Sequence, residues 1–351
     1  MNQRVSAIVA CRNEARCLRA FLDSMLQQET QGVDVEFLIA DGMSDDGTRE
    51  ILAEYAARDS RLRVIDNPGR IVSTGLNAAI RAARGDIVLR MDAHTEFAPN
   101  YIQECVRILN ETGAENVGGP ARTRAEGRMA RAIAASYHSP FSTGGARFHD
   151  PDYEGPVDTV TYGCWRRETL DRIGYFDEAL VRNQDDELNL RLRRQGGKIW
   201  QSPRIISYYR PRGDLRSLFR QYCQYGFWKV AVIRKHHIPG SCRHLIPSLF
   251  VATLIILLAA VVTGGLTGAG WLVRLSGALL GGLLLAYFSC SLYFSWHAAR
   301  QGGMDLLPLL PKIFAIYHIS YGLGFLTGML YAIAGRRGVA SPYGRFAELS
   351  R

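Results

Sequence analysis

An α/β domain built on a mostly parallel sheet, followed by a helical membrane region, is the fold class this sequence predicts. Three observations carry the prediction. β-rich and helical runs alternate through the first ninety or so residues with short joints. Polar residues collect where the strand-like runs end. Three charge-free stretches follow one another after residue 244.

The elements follow in order. Residues 5–9 are β-rich, and a polar helix is expected over about 14–28. Residues 35–40 form a second strand, closed by Asp41 and Gly42. Residues 48–58 have helical spacing, and 62–65 form a third strand. Residues 73–84 read as a helix stopped by Gly85, and 87–91 form a fourth strand running into Asp92. In such sheets ligands bind beyond the carboxyl ends of the strands. Those ends are residues 11–14, 41–48 and 92–94, where the polar residues lie.

The hydrophobic stretches are 245–262, 275–296 and 313–335. Each approaches the ~20 residues that cross a hydrocarbon core. Arg243 before the first, and Arg300 and Lys312 after the second, fit a cytosol–outside–cytosol path. A third crossing puts Arg336, Arg337, Arg345 and Arg351 outside, against the positive-inside rule, so two or three membrane helices stay open. The first residues, MNQRVSAIVACRNE, lack the long apolar core of a leader. The expected division is a cytosolic domain over 1–212, an amphipathic interfacial helix and linker over 213–243, a membrane region over 244–335 and a basic tail over 336–351.

The chain has 351 residues, with 42 Lys+Arg, 33 Asp+Glu and a net charge of +9. Charged residues make up 21% and hydrophobic residues 47%, which excludes a disordered chain. The basic excess does not point to nucleic acid, because no nucleic-acid module is present. Cations cluster instead in 214–237, DLRSLFRQYCQYGFWKVAVIRKHH, among aromatics at helical spacing. That pattern fits a helix on an anionic leaflet. The seven cysteines are scattered without a CxxC pair, as in a reducing compartment.

No GxGxxG follows the first strand and no GxxxxGK[ST] occurs. A nucleotide would therefore be held by carboxylates and a metal. Asp92 and His94, two apart at a strand end, offer an oxygen and an imidazole nitrogen to a divalent cation.

VSAIVACRNE (5–14), IADGMSDDGT (39–48), GLNAA (75–79), GDIVLRMDAH (85–94) and YFDEALVRNQDDELNLRLRRQG (175–196) occur in that order. Together they resemble family 2 glycosyltransferases, and within them the membrane-tethered ExoA-like enzymes of bacterial exopolysaccharide synthesis. The resemblance covers about 4–240 and implies the GT-A fold, a Rossmann-like nucleotide-diphospho-sugar transferase domain. It implies that Glu14 and Asp41 hold the donor's base and ribose, with Asp41 accepting from a uracil N3–H. Arg70 and Asn77 fall where donor contacts are expected, and Asp46 has a structural place in its turn. Asp92 and His94 match the family's DxD position, with His94 replacing a carboxylate and favouring Mn²⁺ over Mg²⁺. Asp185 matches the catalytic base, Gln184 replaces the acid before it, and Asp186 and Glu187 are neighbouring competitors. Trp165 and Asp186 fall at the acceptor site. Gly118-Gly119-Pro120 is expected as a turn near the donor, and 139–156 as a mobile loop over the site.

The resemblance further implies inverting transfer from a UDP-sugar, UDP-glucose, to a lipid-linked saccharide, and three short spans, too few for a polymer channel, point to one sugar at a time. It places the enzyme at a bacterial inner membrane with its catalytic domain cytosolic, alongside other polysaccharide assembly enzymes. Transfer directly to a polyprenyl phosphate, or a non-catalytic nucleotide-sugar-binding subunit, are the alternatives.

Overall fold

The structure is a computed structural model in which residues 3–334 are described. The expected basic tail lies outside the described residues. The chain forms two compact units. One comprises Met1–Arg124 and Arg147–Arg210, and the other Ala125–Ala146 and the chain from Pro211 onward.

In the first unit β1 (Gln3–Cys11), α1 (Ala15–Leu26), β2 (Val33–Asp41), α2 (Thr48–Arg58), β3 (Leu62–Asp66), α3 (Val72–Ala82) and β4 (Ile87–Arg90) alternate. These match the expected elements closely. β5 (Thr95–Phe97), α4 (Tyr101–Thr112) and β6 (Asn116–Gly119) follow.

In the second unit lie α5 (Arg128–His138) and α6 (Pro140–Thr143). The chain returns to the first unit for β7 (Gly155–Pro156), β8 (Thr161–Arg166), α7 (Arg167–Ile173), α8 (Gln184–Arg194), β9 (Ile199–Gln201) and β10 (Ser207–Tyr209). α9 (Leu215–His236), α10 (Ile246–Thr267), α11 (Gly270–Gly302) and α12 (Leu310–Ala334) complete the second.

The main sheet has the order β3-β2-β1-β4-β8-β6-β9-β7. Strands β3, β2, β1 and β4 are parallel, and β8 enters antiparallel between β4 and β6. The sheet is thus mixed, because β8 arrives from the opposite end. Strand alternation builds a core on each face. Val5, Ala7 and Val9 of β1 and Phe37 and Ile39 of β2 join one cluster, while Ile8, Leu38 and Ala40 join the other. α1 closes the first with Leu18, Leu22 and Met25, all 0% exposed. Burial of each stabilises by about 1.5–3 kcal/mol. α3 closes the second. Its Gly75 sits where an added Cβ would lie 2.8 Å from Asn67 and 3.0 Å from the Ala10 side chain. That glycine lets the helix approach β1 and β2.

The elements of the second unit, among the described residues, are all helices. Three of its helices are long and apolar enough to cross a membrane: Cys242–Thr267, Gly270–Gly302 and Leu310–Ala334. α9 does not present one apolar side only. Phe227–Val232 are six consecutive buried residues, so this half of α9 is covered all round. Its cover is α12, which approaches through glycines. A Cβ on Gly324 would lie 2.0 Å from the Cys223 carbonyl, and one on Gly226 2.1 Å from that of Tyr321. α5 and α6 pack among the same helices. Phe141 stacks on Phe294 at 5.2 Å, and its carbonyl bonds the His318 Nε2 at 2.8 Å. Arg131 reaches the Gly302 carbonyl at 2.8 Å. The stretch 139–156 is therefore not one mobile loop. It contains α6, a 3-10 turn at Arg147–His149 and β7, and it is divided between the two units.

Candidate active site

The carboxyl ends of β1, β2 and β4 carry three loops. The first two are laced together. The Asn13 N–H donates to Ser44 Oγ at 2.9 Å, and the Glu14 N–H to Thr48 Oγ1 at 2.8 Å. Asp46 takes the Ala15 N–H at 3.2 Å and the Thr48 hydroxyl at 2.6 Å. Burial opposes its ionisation, but the bonds from Thr48 and Ala15 outweigh it and hold the carboxyl below its ordinary range. Asp46 is a structural tie, as expected of its turn.

Asp41 corrects its expected role as an open acceptor for a base. It is 0% exposed, and its carboxylate already takes the Ser44 hydroxyl at 2.5 Å, the Ser44 N–H at 3.1 Å and Arg49 at 3.2 Å. A base would have to displace Ser44 or Arg49 to reach it.

Asn77 is a second correction. It is 2% exposed, its amide donates to the Phe176 carbonyl and Glu178 at 2.8 Å each, and its carbonyl accepts from the Phe176 N–H at 3.0 Å. Asn77 ties α3 to the 176–178 loop rather than facing a donor. Arg70 stays exposed after β3, with φ +61 and its N–H on the Asn67 carbonyl.

Glu14 and His94 come together. His94 Nε2 lies 2.8 Å from Glu14 Oε1. The Cys17 thiol donates to Glu14 Oε2 at 3.3 Å and lies 3.8 Å from His94 Nδ1. Burial, then the Glu14 carboxylate, pushes that thiol up to about 11, so it keeps its proton at neutral pH. Glu14, Cys17 and His94 offer oxygen, sulfur and nitrogen atoms within 4.8 Å of one another, a group that Asp92 does not join. The Asp92 carboxylate takes the His94 backbone N–H at 3.0 Å and keeps 29% exposure. An exposed carboxylate oxygen and an imidazole beside it fit a divalent cation. For both to hold one ion, the His94 ring would leave Glu14.

β4 ends in a residue that sequence reasoning passed over. All four residues of β4 are buried, and the last is Arg90, 7% exposed. Its guanidinium lies 4.0 Å from Asp92 Oδ2 and 3.8 Å from Asp185 Oδ2. Its Nη1 is buried without a hydrogen bond. Tyr162 of β8, at φ +65, lies beneath it, 5.8 Å from guanidinium carbon to ring centre, with its hydroxyl on Thr95. Burial, then Asp92, pushes the Tyr162 hydroxyl far up, so it stays protonated. The only sequence signal for Arg90 was a cation closing an otherwise apolar strand.

Asp185 lies in the first turn of α8, where the helix dipole favours an anion. The carboxylate is 48% exposed and accepts the Asp186 N–H at 2.9 Å. Asn183 stands at the N-cap of the helix with φ +60. The helix is fixed below by Asn189, which bonds Asn116 and Thr159 at 2.8 Å each. Glu187 is 0% exposed and paired with Arg191 at 2.7 Å, which removes it as a competitor for the base. Asp186 is partly exposed beside Asp185.

Trp165 is a further correction. It is 1% exposed, packed edge-on against Phe176 in the core, and so does not stack on a ligand. Gly118 and Gly119 are strand residues of β6 rather than a turn. A Cβ on Gly119 would lie 2.0 Å from the Ile205 carbonyl.

A mixed sheet whose β3-β2-β1-β4 half is parallel, with carboxylates beyond the carboxyl ends of those strands and no phosphate-binding glycine loop, has the GT-A-like transferase fold. The comparisons narrow the class. Residues 6–174 match "Glycosyl transferase family 2". The chain is 31% identical over 242 residues to the succinoglycan biosynthesis protein ExoA of Rhizobium meliloti, across 68% of this chain and 73% of that one. It is 28% identical, over 93% of this chain and 97% of the other, to the dolichyl N-acetyl-α-D-glucosaminyl phosphate 3-β-D-2,3-diacetamido-2,3-dideoxy-β-D-glucuronosyltransferase of Methanococcus voltae. The mannosyltransferase PcManGT of Pyrobaculum calidifontis, solved with GDP-Man and Mn²⁺, shares the fold at TM-score 0.57 and 18% identity. The likeness covers 93% of this chain and 88% of that one. The chain belongs to glycosyltransferase family 2.

Proposed function

We propose that this glycosyltransferase moves a sugar from a UDP-sugar, UDP-glucose, to a hydroxyl of a lipid-linked saccharide, once per acceptor and with inversion. The observation that carries the reading is the pair of partly exposed carboxylates, Asp92 and Asp185, that flank the Arg90 guanidinium at 4.0 and 3.8 Å. Asp185 takes the proton of the acceptor hydroxyl as that oxygen bonds the anomeric carbon. The bond from that carbon to the diphosphate breaks on the opposite face, and UDP leaves. Asp92 and His94 would hold a divalent cation, Mn²⁺, which supplies charge neutralisation for the diphosphate.

Support for a lipid-borne acceptor comes from two sides. The relative from M. voltae is named for a dolichyl phosphate-linked acceptor. In this chain, three helices are long and apolar enough to tether it to a bilayer. The enzyme belongs, on this reading, to polysaccharide synthesis at a bacterial inner membrane with the site on the cytosolic side. The ExoA relative's name supports exopolysaccharide as the product.

The test is UDP release by detergent-purified protein from a panel of UDP-sugars, with Mn²⁺ or EDTA and extracted lipid acceptors. Metal-dependent release with one sugar is expected. Asp185→Asn should lower it by about 10²–10⁴ while UDP still binds. Near-normal turnover by that variant would remove Asp185 from the mechanism. Binding without release across all acceptors would favour a non-catalytic subunit, and transfer to bare polyprenyl phosphate would favour the direct route.

A further inference from the structure

Arg90 is an unusual residue to find at the end of a buried strand. A guanidinium that is more than nine-tenths buried normally has its donors bonded, because an unmet buried charge is costly. Here Nη1 is buried without a hydrogen bond, and the two nearest carboxylates stand at 3.8 and 4.0 Å. Those separations are too long for hydrogen bonds. What links the three groups is charge. The guanidinium cannot drift far, since its stem is enclosed at the end of β4 and the Tyr162 ring lies under its face.

A positive charge that close to Asp92 competes directly with any cation for the same carboxylate. It also needs Asp185, because removing that anion leaves the guanidinium a single partner. The arrangement therefore acts as a balance. When a cation takes Asp92, repulsion presses the guanidinium away from it and toward Asp185, the side from which the proton must be taken.

We propose that Arg90 is a positioning residue that couples the two ends of the site, restraining cation binding at Asp92 and, once the cation is bound, orienting Asp185 toward the acceptor. The proposal rests on the roles given above to Asp92 and Asp185. It differs from them in predicting that binding and turnover move in opposite directions. A purely structural role for Arg90 would weaken both.

The experiment measures Mn²⁺ affinity directly, by loss of the free-ion EPR signal or by calorimetry, on the full chain in detergent. It does so without donor, beside UDP-release turnover. In Arg90→Met, Mn²⁺ should bind about threefold tighter or more, since a repulsive neighbour is gone. Turnover should fall about tenfold or more. Arg90→Lys, which keeps the charge, should restore most of both.

Asp185→Asn leaves Arg90 in place and tests the coupling from the other side. With one anion lost, the guanidinium turns wholly to Asp92, and Mn²⁺ should bind about threefold more weakly. The same change made on top of Arg90→Met should have no effect on Mn²⁺. The two Asp185 comparisons keep the test open if Arg90→Met fails to fold, because the first can be read with Arg90→Gln as the second background. Unchanged or weaker Mn²⁺ binding in a folded Arg90→Met protein would overturn the proposal. So would Asp185→Asn leaving Mn²⁺ affinity as it was, or no Mn²⁺ binding by the parent protein. The affinity arms need no donor sugar or acceptor. Coupling seen there with no UDP release from any donor would fault the proposed transfer and leave the charge balance standing. Release without coupling would do the reverse.

Discussion

Leu22 of α1 and Ile256 of α10 are both aliphatic residues in the middle of a helix, and they face opposite ways. Leu22 is 0% exposed, like Leu18 and Met25 around it, while the outer side of α1 is polar. Ile256 is 66% exposed, and Leu266 further along the same helix is 83% exposed. The sheet unit sorts its residues as a protein in water does. α10 and α11 turn large apolar side chains outward, which is favourable where the surroundings are hydrocarbon.

The sharpest test of the sheet unit is Trp165→Ala. Removing a fully packed indole should cost about 3–5 kcal/mol, read from the urea midpoint of a folded-state probe. A higher acceptor KM with unchanged stability would return Trp165 to the acceptor site.

The contrast in surroundings is tested by the same substitution in both units. Ile256→Lys should disfavour membrane insertion by about 3 kcal/mol, measured by topology reporters on α10. Val64→Lys, on a 39% exposed position of β3, should change stability by no more than about 0.5 kcal/mol. Equal small effects would mean α10 faces water.

Asn77→Ala leaves the Phe176 N–H and carbonyl without their partner and should cost about 1–3 kcal/mol. Donor KM should move little if the tie to 176–178 is all it does.

The smallest effect concerns Cys17. Its thiol, raised to about 11, is protonated at neutral pH, so the labelled fraction should rise steeply only as pH climbs toward that value. Glu14→Gln removes a negative neighbour and should speed iodoacetamide labelling at pH 8. Mass mapping of labelled Cys17 reads both.

Much of this was legible in the sequence, for physical reasons. The alternation of β1 to β4 with α1 to α3 shows as short β-rich runs, buried on both faces, between stretches of helical spacing. The 48–58 helix was placed on the residues it occupies. The strand-end position of Asp92 and the helix-start position of Asp185 followed from motif order. What failed was the direction of side chains. Asn77 and Trp165 were expected to face ligands, but spacing alone does not say that each turns inward. Asp41 is at the strand end and still fully covered, because Ser44 folds back over it. Arg90 and Tyr162 were missed since their importance lies in contacts across β4 and β8, which are distant in sequence. The placing of α5 and α6 among the C-terminal helices had no linear signal at all.

That last feature bears on modularity. The chain leaves the sheet unit at Arg124 and re-enters at Arg147, so the helical unit is interleaved with it in sequence. A stop codon after Arg210 looks like a clean way to a water-soluble enzyme. The fragment would still carry residues 125–146, and Ala132, Ile133 and Phe141 would have lost the helices that cover them. Solubility would then depend on excising that internal segment as well, and on rejoining the ends it leaves.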